Sequence, residues 1–371
     1  MTIRLIKISE LQDLTRSAEY ASWKHVPITP ARAYSQSLNP YAQPEDISLI
    51  LAIDDNSGEL ISYAGAFPAE LQNKQAIRFA WNSCWWVAEG VSGEIAMNTF
   101  IRFLQVWEKK VAFSDMTEKT FKIVRNLKFC KTFQRDGVVL HLRPGFVNRF
   151  RDLSKRTGIS AGISGMFLYS GIPWLADKLL LALLILPQKN YSGNSKTPVP
   201  EMLQETDADD KIFMQRNGAD HFHLPDSTEL KMPSWLVKQS RENRFLASKY
   251  YFSSFSHDFS RFWLRWRADN KTIALVLVSI RDGVLKTLYV YFEESYRSVF
   301  PSYFMAYCFG NYSIHSLITA TPILVSYIKQ HKLFILKRRY FTRYSAISEE
   351  ILSDLHYEPV LQDGDGDYRF T

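Results

Sequence analysis

The chain has 371 residues, more than one ordinary hydrophobic core accommodates, so two domains are the starting expectation. Hydrophobic residues make up 46% and charged residues 22%, which excludes a disordered chain. The net charge of +7 suits an anionic ligand, a nucleic acid or an anionic membrane surface, but basic residues cluster only as Arg149-Phe150-Arg151 and Lys337-Arg338-Arg339, so no nucleic-acid partner is expected.

Met1 to Lys7 alternates as a first strand and shows no secretory hydrophobic region. Cys84, Cys130 and Cys308 are widely spaced in apolar surroundings, with neither a disulfide framework nor a zinc spacing, so a cytoplasmic location is expected. Leu11 to Trp23 has a helical pattern, and Pro27, Pro30 and Pro40 break the stretch after it. Ile47 to Ile53 reads as a strand, Asp54 to Gly58 as a turn, and Leu60 to Pro68 as the second arm of a hairpin. Phe79 to Val87 is an apolar, aromatic run with the bias of a buried strand. It turns through Gly90-Val91-Ser92-Gly93 into a helix ending near Lys109, with Ile95, Thr99 and Phe103 at helical spacing. A short strand at Val111 to Phe113, a helix at Glu118 to Leu127 and a strand at Gly137 to Leu142 follow.

Composition then changes. Gly158 to Pro187 is apolar, interrupted by Pro173 and the pair Asp177-Lys178, so its unbroken part is shorter than the ~20 residues a spanning helix needs. It reads as a buried interdomain helix or as a membrane-surface anchor flanked by Arg149, Arg151, Lys155 and Arg156. Asn190 to Asp210 is a polar linker. Strands are expected at Phe262 to Arg267, Ile273 to Ile280, Leu285 to Phe292, Leu317 to Thr321 and Leu333 to Tyr340, with helices at Val299 to Phe309 and Ile323 to His331, before the polar tail Gln362 to Tyr368.

A strand, a glycine turn and a helix start make an anion site, because the first N–H groups of a helix lack internal partners and the dipole is positive there. Gly90 and Gly93 do not form the dinucleotide fingerprint and no G-K-[ST] follows, so neither a Rossmann nor a Walker site is indicated. The same residues also suit an ordinary strand-to-helix turn.

The halves share an order of hairpin, third strand, helix, short strand, helix and last strand, and I-S-L-I-L-A-I-D-D-N-S-G-E-L-I-S-Y (Ile47 to Tyr63) aligns with I-A-L-V-L-V-S-I-R-D-G-V-L-K-T-L-Y (Ile273 to Tyr289). Phe121 to Phe129 resembles the late-helix F-Y-E-K-L-G-F signature of the GCN5-related N-acetyltransferase (GNAT) family, and W-W-V-A-E-G-V-S-G-E-I-A resembles its acyl-CoA loop. The resemblance implies an α/β (α+β) chain of two GNAT-like domains, each a mixed, mostly antiparallel central sheet flanked by helices, forming a pseudo-dimer. It divides the chain into 1–148, a helix-and-linker part 149–232, and a degenerate second domain 233–371.

The resemblance further implies acetyl-CoA or another acyl-CoA as substrate and an amine acceptor, an amino sugar or a peptide amine, that attacks the thioester directly in a ternary complex. The pantetheine arm would lie along Cys84, Trp85, Trp86 and Val87, and the pyrophosphate on the amides of Gly90, Val91, Ser92, Gly93, Glu94 and Ile95. Several positions depart from the family pattern. Gly90 stands where the loop opens with Arg or Gln, and Ile95 where it ends on Gly or Ala. The tyrosine that often protonates the thiolate falls on Val124, and Phe292 to Arg297 replaces the glycine turn in the second half, so no CoA is expected there.

Glu89 and Glu94 flank the loop and are the candidate bases, direct or through water; both also read as solvent-exposed turn carboxylates. Cys84 reads as a buried structural thiol, and Tyr63 as a core aromatic or a residue facing the cleft. Asp220-His221-Phe222-His223 is half a metal site, and no metal is expected. The alternative to an enzyme is an inactive GNAT scaffold that binds a ligand or partner, peripheral to the membrane in envelope polysaccharide assembly.

Overall fold

The structure, a computed structural model, describes residues 1–71, 76–143, 198–225, 230–236, 248–252, 256–333, 335–355 and 357–366. The apolar segment 158–187 and its basic flank lie outside the described residues. In chain order the first half runs β1 (Thr2–Lys7), α1 (Leu11–Arg16), α2 (Ala18–Ser22), α3 (Pro30–Ser37), β2 (Ile47–Ile53), β3 (Leu60–Leu71), β4 (Ile77–Val87), α4 (Gly93–Val106), β5 (Val111–Met116), α5 (Glu118–Asn126) and β6 (Cys130–His141). The remainder runs β7 (Glu201–Leu203), α6 (Ala208–Asn217), β8 (Phe259–Ala268), β9 (Lys271–Arg281), β10 (Val284–Phe292), α7 (Phe300–Gly310), β11 (Ser316–Thr319), α8 (Pro322–Gln330), β12 (Lys337–Ser348) and α9 (Glu349–Leu355).

Local chemistry explains most of these limits. The helix expected over Leu11 to Trp23 is split, because the Ser17 hydroxyl caps α2 by accepting the Tyr20 N–H at 3.1 Å. Thr29 caps α3 with Pro30 in its first turn, and Thr117 caps α5. Between β2 and β3, Asp54 Oδ1 accepts the N–H groups of Asn56 and Ser57, and Gly58 takes φ +68° to close the turn.

The described residues form two compact units. The first holds Met1–Arg135, Met214–Phe259 and Arg343–Thr371; the second holds Asp136–Phe213 and Ser260–Thr342. Strand order in the first is β1-β2-β3-β4-β5-β12, antiparallel except that β4 and β5 run parallel. The second has the order β7-β8-β9-β10-β11-β6, and there the parallel pair is β10 and β11. Each unit therefore takes its last strand from the other half of the sequence. The sequence reading placed boundaries at 148 and 232, whereas these units change over inside β6 and β12, at Arg135/Asp136 and Thr342/Arg343.

The repeat is also shifted by one strand. Position beside the parallel partner equates β9 and β10 with β3 and β4, and not with the Ile47 to Pro68 hairpin to which the sequence aligned them. Runs of alternating β-branched residues are alike enough that composition does not fix which hairpin matches which.

In the first unit, α4 covers one sheet face, where Ala64, Ala66 and Ala80 leave room for the rings of Phe100 and Phe103. The opposite face carries Trp23, Tyr63, Phe67, Phe79, Trp81 and Trp235. In the second unit the strands around β9 bury Val276 and Val278 against Trp266, Phe304 and Ile328.

Candidate functional site

The site is built around a bulge. Gly65 of β3 pairs with Cys84, and the next residue, Ala66, pairs with Asn82, so Ser83 is an extra residue on β4. Gly65 is required by this crowding: a Cβ there would lie 2.5 Å from both Cys84 Sγ and Ser83 Oγ. The Asn82 side chain braces the bulge by donating to the carbonyls of Gly65 at 3.2 Å and Cys84 at 3.1 Å. A bulge bends its strand and increases the local twist. The consequence appears on the other edge of β4, which pairs with β5 only over Ala80–Asn82 and Val111–Phe113. On its other edge β5 stays paired with β12 from Ala112 through Met116. A fork opens between residues 83–87 and 114–116, and a ligand lying in it as an added strand meets the outer backbone edge of β4.

The same strand leads into the glycine turn. Gly90 takes φ +79°, and the Val91 N–H reaches the Ala88 carbonyl at 3.3 Å. Ser92 caps α4, its hydroxyl accepting the Glu94 N–H at 3.2 Å, and the Ile95 N–H bonds to the Ser92 carbonyl at 3.1 Å. Gly90, Ser92, Gly93 and Glu94 are exposed, and Val91 and Ile95 half-buried. A Cβ on Gly90 or Gly93 would meet nothing within 4 Å, so the approach to the helix start is open. Here the α4 dipole is positive and suits a phosphate.

Trp85, Trp86 and Val87 have separate places. Trp85 faces α4, donating from Nε1 to the Ala96 carbonyl at 3.2 Å and stacking on Phe100 at 4.6 Å. Trp86 lies on the opposite face, stacked on Tyr63 at 5.2 Å and beside His25 at 5.0 Å. Val87 pairs with Ser62.

The chain resembles GNAT-fold acyltransferases of known structure along nearly its whole length. A GCN5-related N-acetyltransferase from Kribbella flavida is 11% identical with a TM-score of 0.43, covering 93% of this chain and 70% of its own. Saccharomyces cerevisiae N-myristoyltransferase, solved with myristoyl-CoA bound, is 10% identical with a TM-score of 0.46, covering 99% and 83%. A protein of unknown function from Enterococcus faecalis V583, described as a probable N-acyltransferase, is 12% identical with a TM-score of 0.45, covering 94% and 73%. No family model and no curated protein matches the sequence.

Glu89 and Glu94, the candidate bases, are exposed, and neither carboxylate makes an ion pair or hydrogen bond among the described residues. Glu94 in the first turn of α4 also has a purely structural use, since a carboxylate there complements the helix dipole. Cys84 is buried. Burial raises the thiol pKa of Cys130 and Cys308, as suits structural cysteines. Val124 is fully buried. Among the described residues no cluster of three or more His, Cys, Asp or Glu could hold a metal, and no helix is long and apolar enough to cross a membrane.

Two features escaped the sequence reading. The second unit has its own fork: Leu288 is the extra residue between the pairs Thr287–Val278 and Tyr289–Leu277, and β10 pairs with β11 only over Val284–Lys286. Its turn holds the ion pair of Arg297 and Glu294 at 2.5 Å, and Phe292 stacks on Phe300 at 5.5 Å where the first unit has its open glycines.

The second feature is the polar tail, which is buried in the first unit from Leu361 to Gly366. Arg135 donates to the carbonyls of Leu361 at 2.7 Å and Gln362 at 3.2 Å, and Asp363 lies 3.6 Å from Arg135 and 3.7 Å from Arg343. Gly366 abuts the fork, where a Cβ would fall 2.1 Å from the hydroxyl of Ser114, the first β5 residue past the pairing with β4. Alternating glycines in Asp363-Gly364-Asp365-Gly366 were the available signal of a tight turn. His221 packs its ring against Gln362 Nε2 at 2.9 Å, and burial lowers its pKa to about 4.

Proposed function

We propose that the chain is an acyl-CoA-dependent N-acyltransferase that transfers an acetyl or longer acyl group to an amine, of the amino-sugar or peptide-amine type. One observation carries this reading. A single strand, β4, both opens a fork beyond the Ser83 bulge and ends in the exposed glycine turn that starts α4. An acyl-CoA needs both features about one strand length apart, a backbone edge for the amides of its pantetheine arm and an anion cradle for its pyrophosphate.

In this reading the turn from Gly90 to Ile95 receives the pyrophosphate, chiefly through the amides of Gly90, Ser92 and Gly93, since those of Val91, Glu94 and Ile95 already bond within the turn, and the edge over Trp85 to Val87 receives the pantetheine. The thioester then lies by Ser83 and Cys84. The acceptor amine attacks the carbonyl carbon, the C–N bond forms as the C–S bond breaks, and CoA leaves as a thiolate. The ammonium proton passes to water, because Glu89 and Glu94 flank the phosphate end, several residues of extended strand away from the thioester, and solvent protonates the thiolate, since Val124 cannot. Most of the rate enhancement then comes from holding two substrates in register, an effect worth up to about 7–11 kcal/mol when alignment is good.

The test is initial-rate kinetics of thiol release from acetyl-CoA with an amine panel, on the natural chain and on Cys84→Ala. Direct attack predicts intersecting reciprocal plots and an active Cys84→Ala enzyme. Parallel plots with an inactive variant would instead mean a covalent acyl-cysteine. The second reading is a binding protein without turnover, favoured by the buried Val124 and by the lack, among the described residues, of any partner orienting Glu89 or Glu94; acetyl-CoA binding without thiol release for any amine would establish it.

A further inference from the structure

The positive charge of the chain is concentrated in one interval. No aspartate or glutamate occurs between Glu294 and Glu349. Of the 45 lysines and arginines seven lie there, and the other 38 are matched by the 38 acids, so this interval accounts for the whole excess of +7. Arg297 pairs with Glu294, and Arg343 is buried. The remaining five, Lys329, Lys332, Lys337, Arg338 and Arg339, gather at the corner of the second unit where α8 ends and β12 begins.

Contacts within the corner hold it together. Arg338 donates from Nη2 to the His331 carbonyl at 3.2 Å and from Nη1 to the Tyr340 hydroxyl at 3.3 Å, and Lys329 Nζ lies 5.7 Å from the centre of the Tyr340 ring. Asp136 pairs with Lys329 at 2.6 Å. Successive strand residues point to opposite faces, so Lys337 and Arg339 share one face of β12, and Arg338 and Tyr340 the other. Lys337 and Arg339 are exposed, and neither makes an ion pair or hydrogen bond among the described residues. Two apolar side chains stand among these cations, Leu336 at 37% exposure and Tyr340 at 47%.

Three features choose the partner. Cations on both faces of a strand end do not converge on a point, which suits an extended anionic surface and not one small anion. Attraction to such a surface fades over a Debye length, about 8 Å at physiological ionic strength, so clustering matters beyond net charge. An exposed leucine and tyrosine gain nothing from a phosphodiester backbone, whereas at a bilayer they enter the headgroup layer. We propose that this corner docks the second unit on a membrane of anionic phospholipid, with the cations at the headgroup phosphates and Leu336 and Tyr340 between them. Each cation near such a surface is worth about fivefold in partitioning. Docking stands apart from the acyltransferase reading and does not depend on it.

Co-sedimentation of the full chain with vesicles tests this, using phosphatidylcholine alone and phosphatidylcholine mixed with phosphatidylglycerol. Binding to the mixed vesicles should be at least about tenfold tighter than to the neutral ones and should weaken as salt is raised. Both comparisons use the natural chain and stand whatever a substitution does to folding. Lys337→Glu with Arg339→Glu should lower affinity for the mixed vesicles at least about tenfold. The charge-matched control Lys24→Glu with Lys119→Glu, at exposed positions of the first unit, should stay within about threefold of the natural chain. Leu336→Ser should weaken vesicle binding about threefold and leave binding to polyuridylate, a soluble polyanion, unchanged. Equal binding to both vesicle types, or none to the mixed ones, would overturn the proposal. Equal losses in the two double variants would do so as well, because net charge alone would then explain the attraction. Polyuridylate binding that falls with Lys337 and Arg339 reversed, beside vesicle binding indifferent to Leu336→Ser, would make the corner a nucleic-acid surface instead.

Discussion

Gly65 has space for a hydrogen and little more. Its place opposite Ser83 and Cys84 makes the bulge possible, and Gly65→Ala forces either the bulge or β3 to shift. Overpacking of this kind costs about 1–3 kcal/mol, so urea denaturation should show a loss in that range, and an unchanged midpoint would mean that the bulge yields without strain. The sequence offered no view of this, because a close approach across two strands leaves no mark on either strand's own pattern. His221 makes a second residue-level prediction. Burial takes its pKa from 6.5 down to about 4, so the native chain binds that proton less readily than the unfolded one. Its stabilising contribution is complete above about pH 6.5 and is lost as pH falls toward about 4. The size is on the order of 3 kcal/mol. A pH series of melting temperatures should accordingly fall less steeply over that window in His221→Gln than in the natural chain, and identical slopes would remove the effect.

Elements were legible wherever a local rule decided them. Ile47 to Ile53 is a strand in sequence and in structure alike, and the glycine turn and the start of α4 lie where the Gly90 to Gly93 spacing put them. The split of the first helix at Ser17 was missed because a capping serine inside a helical pattern is also compatible with an unbroken helix. The tail reads as polar in sequence because Asp and Gly dominate it; Arg135 of β6 and Arg343 of β12, distant in sequence, engage it in the first unit. This gives a prediction at the level of the turn. Gly366 has φ +101° and touches Ser114, so Gly366→Ala should destabilise the chain by about 1–3 kcal/mol. The double variant Gly366→Ala with Ser114→Gly should recover part of that loss, because it removes the clash and leaves the backbone strain. No recovery in the double variant would place the whole cost in the backbone.

On the scale of the whole molecule, two units of like strand order were foreseeable from the recurrence of hairpins and helices, whereas their exchange of final strands was not. The partners of β6 and β12 are set by pairing far along the chain, through Val138–His141 with Thr319–Ser316 and Ala346–Ile347 with Phe113–Ala112. A fragment of residues 1–142 therefore keeps the glycine turn but leaves the outer edge of β5 without its strand, and open edges favour aggregation. It should be insoluble or lack native circular dichroism when expressed alone; a soluble monomer with a cooperative melt would contradict the exchange. The central claim is that the start of α4 holds the phosphates of an acyl-CoA. Isothermal titration of acetyl-CoA into the natural chain, Gly93→Ala and Gly93→Glu tests it most directly, because the open space at Gly93 lets either side chain in without disturbing the fold. Binding within about threefold of the natural chain is expected for Gly93→Ala, and a loss of at least about 100-fold for Gly93→Glu, where a carboxylate would meet the pyrophosphate. No binding by the natural chain, or equal binding by all three, would contradict it.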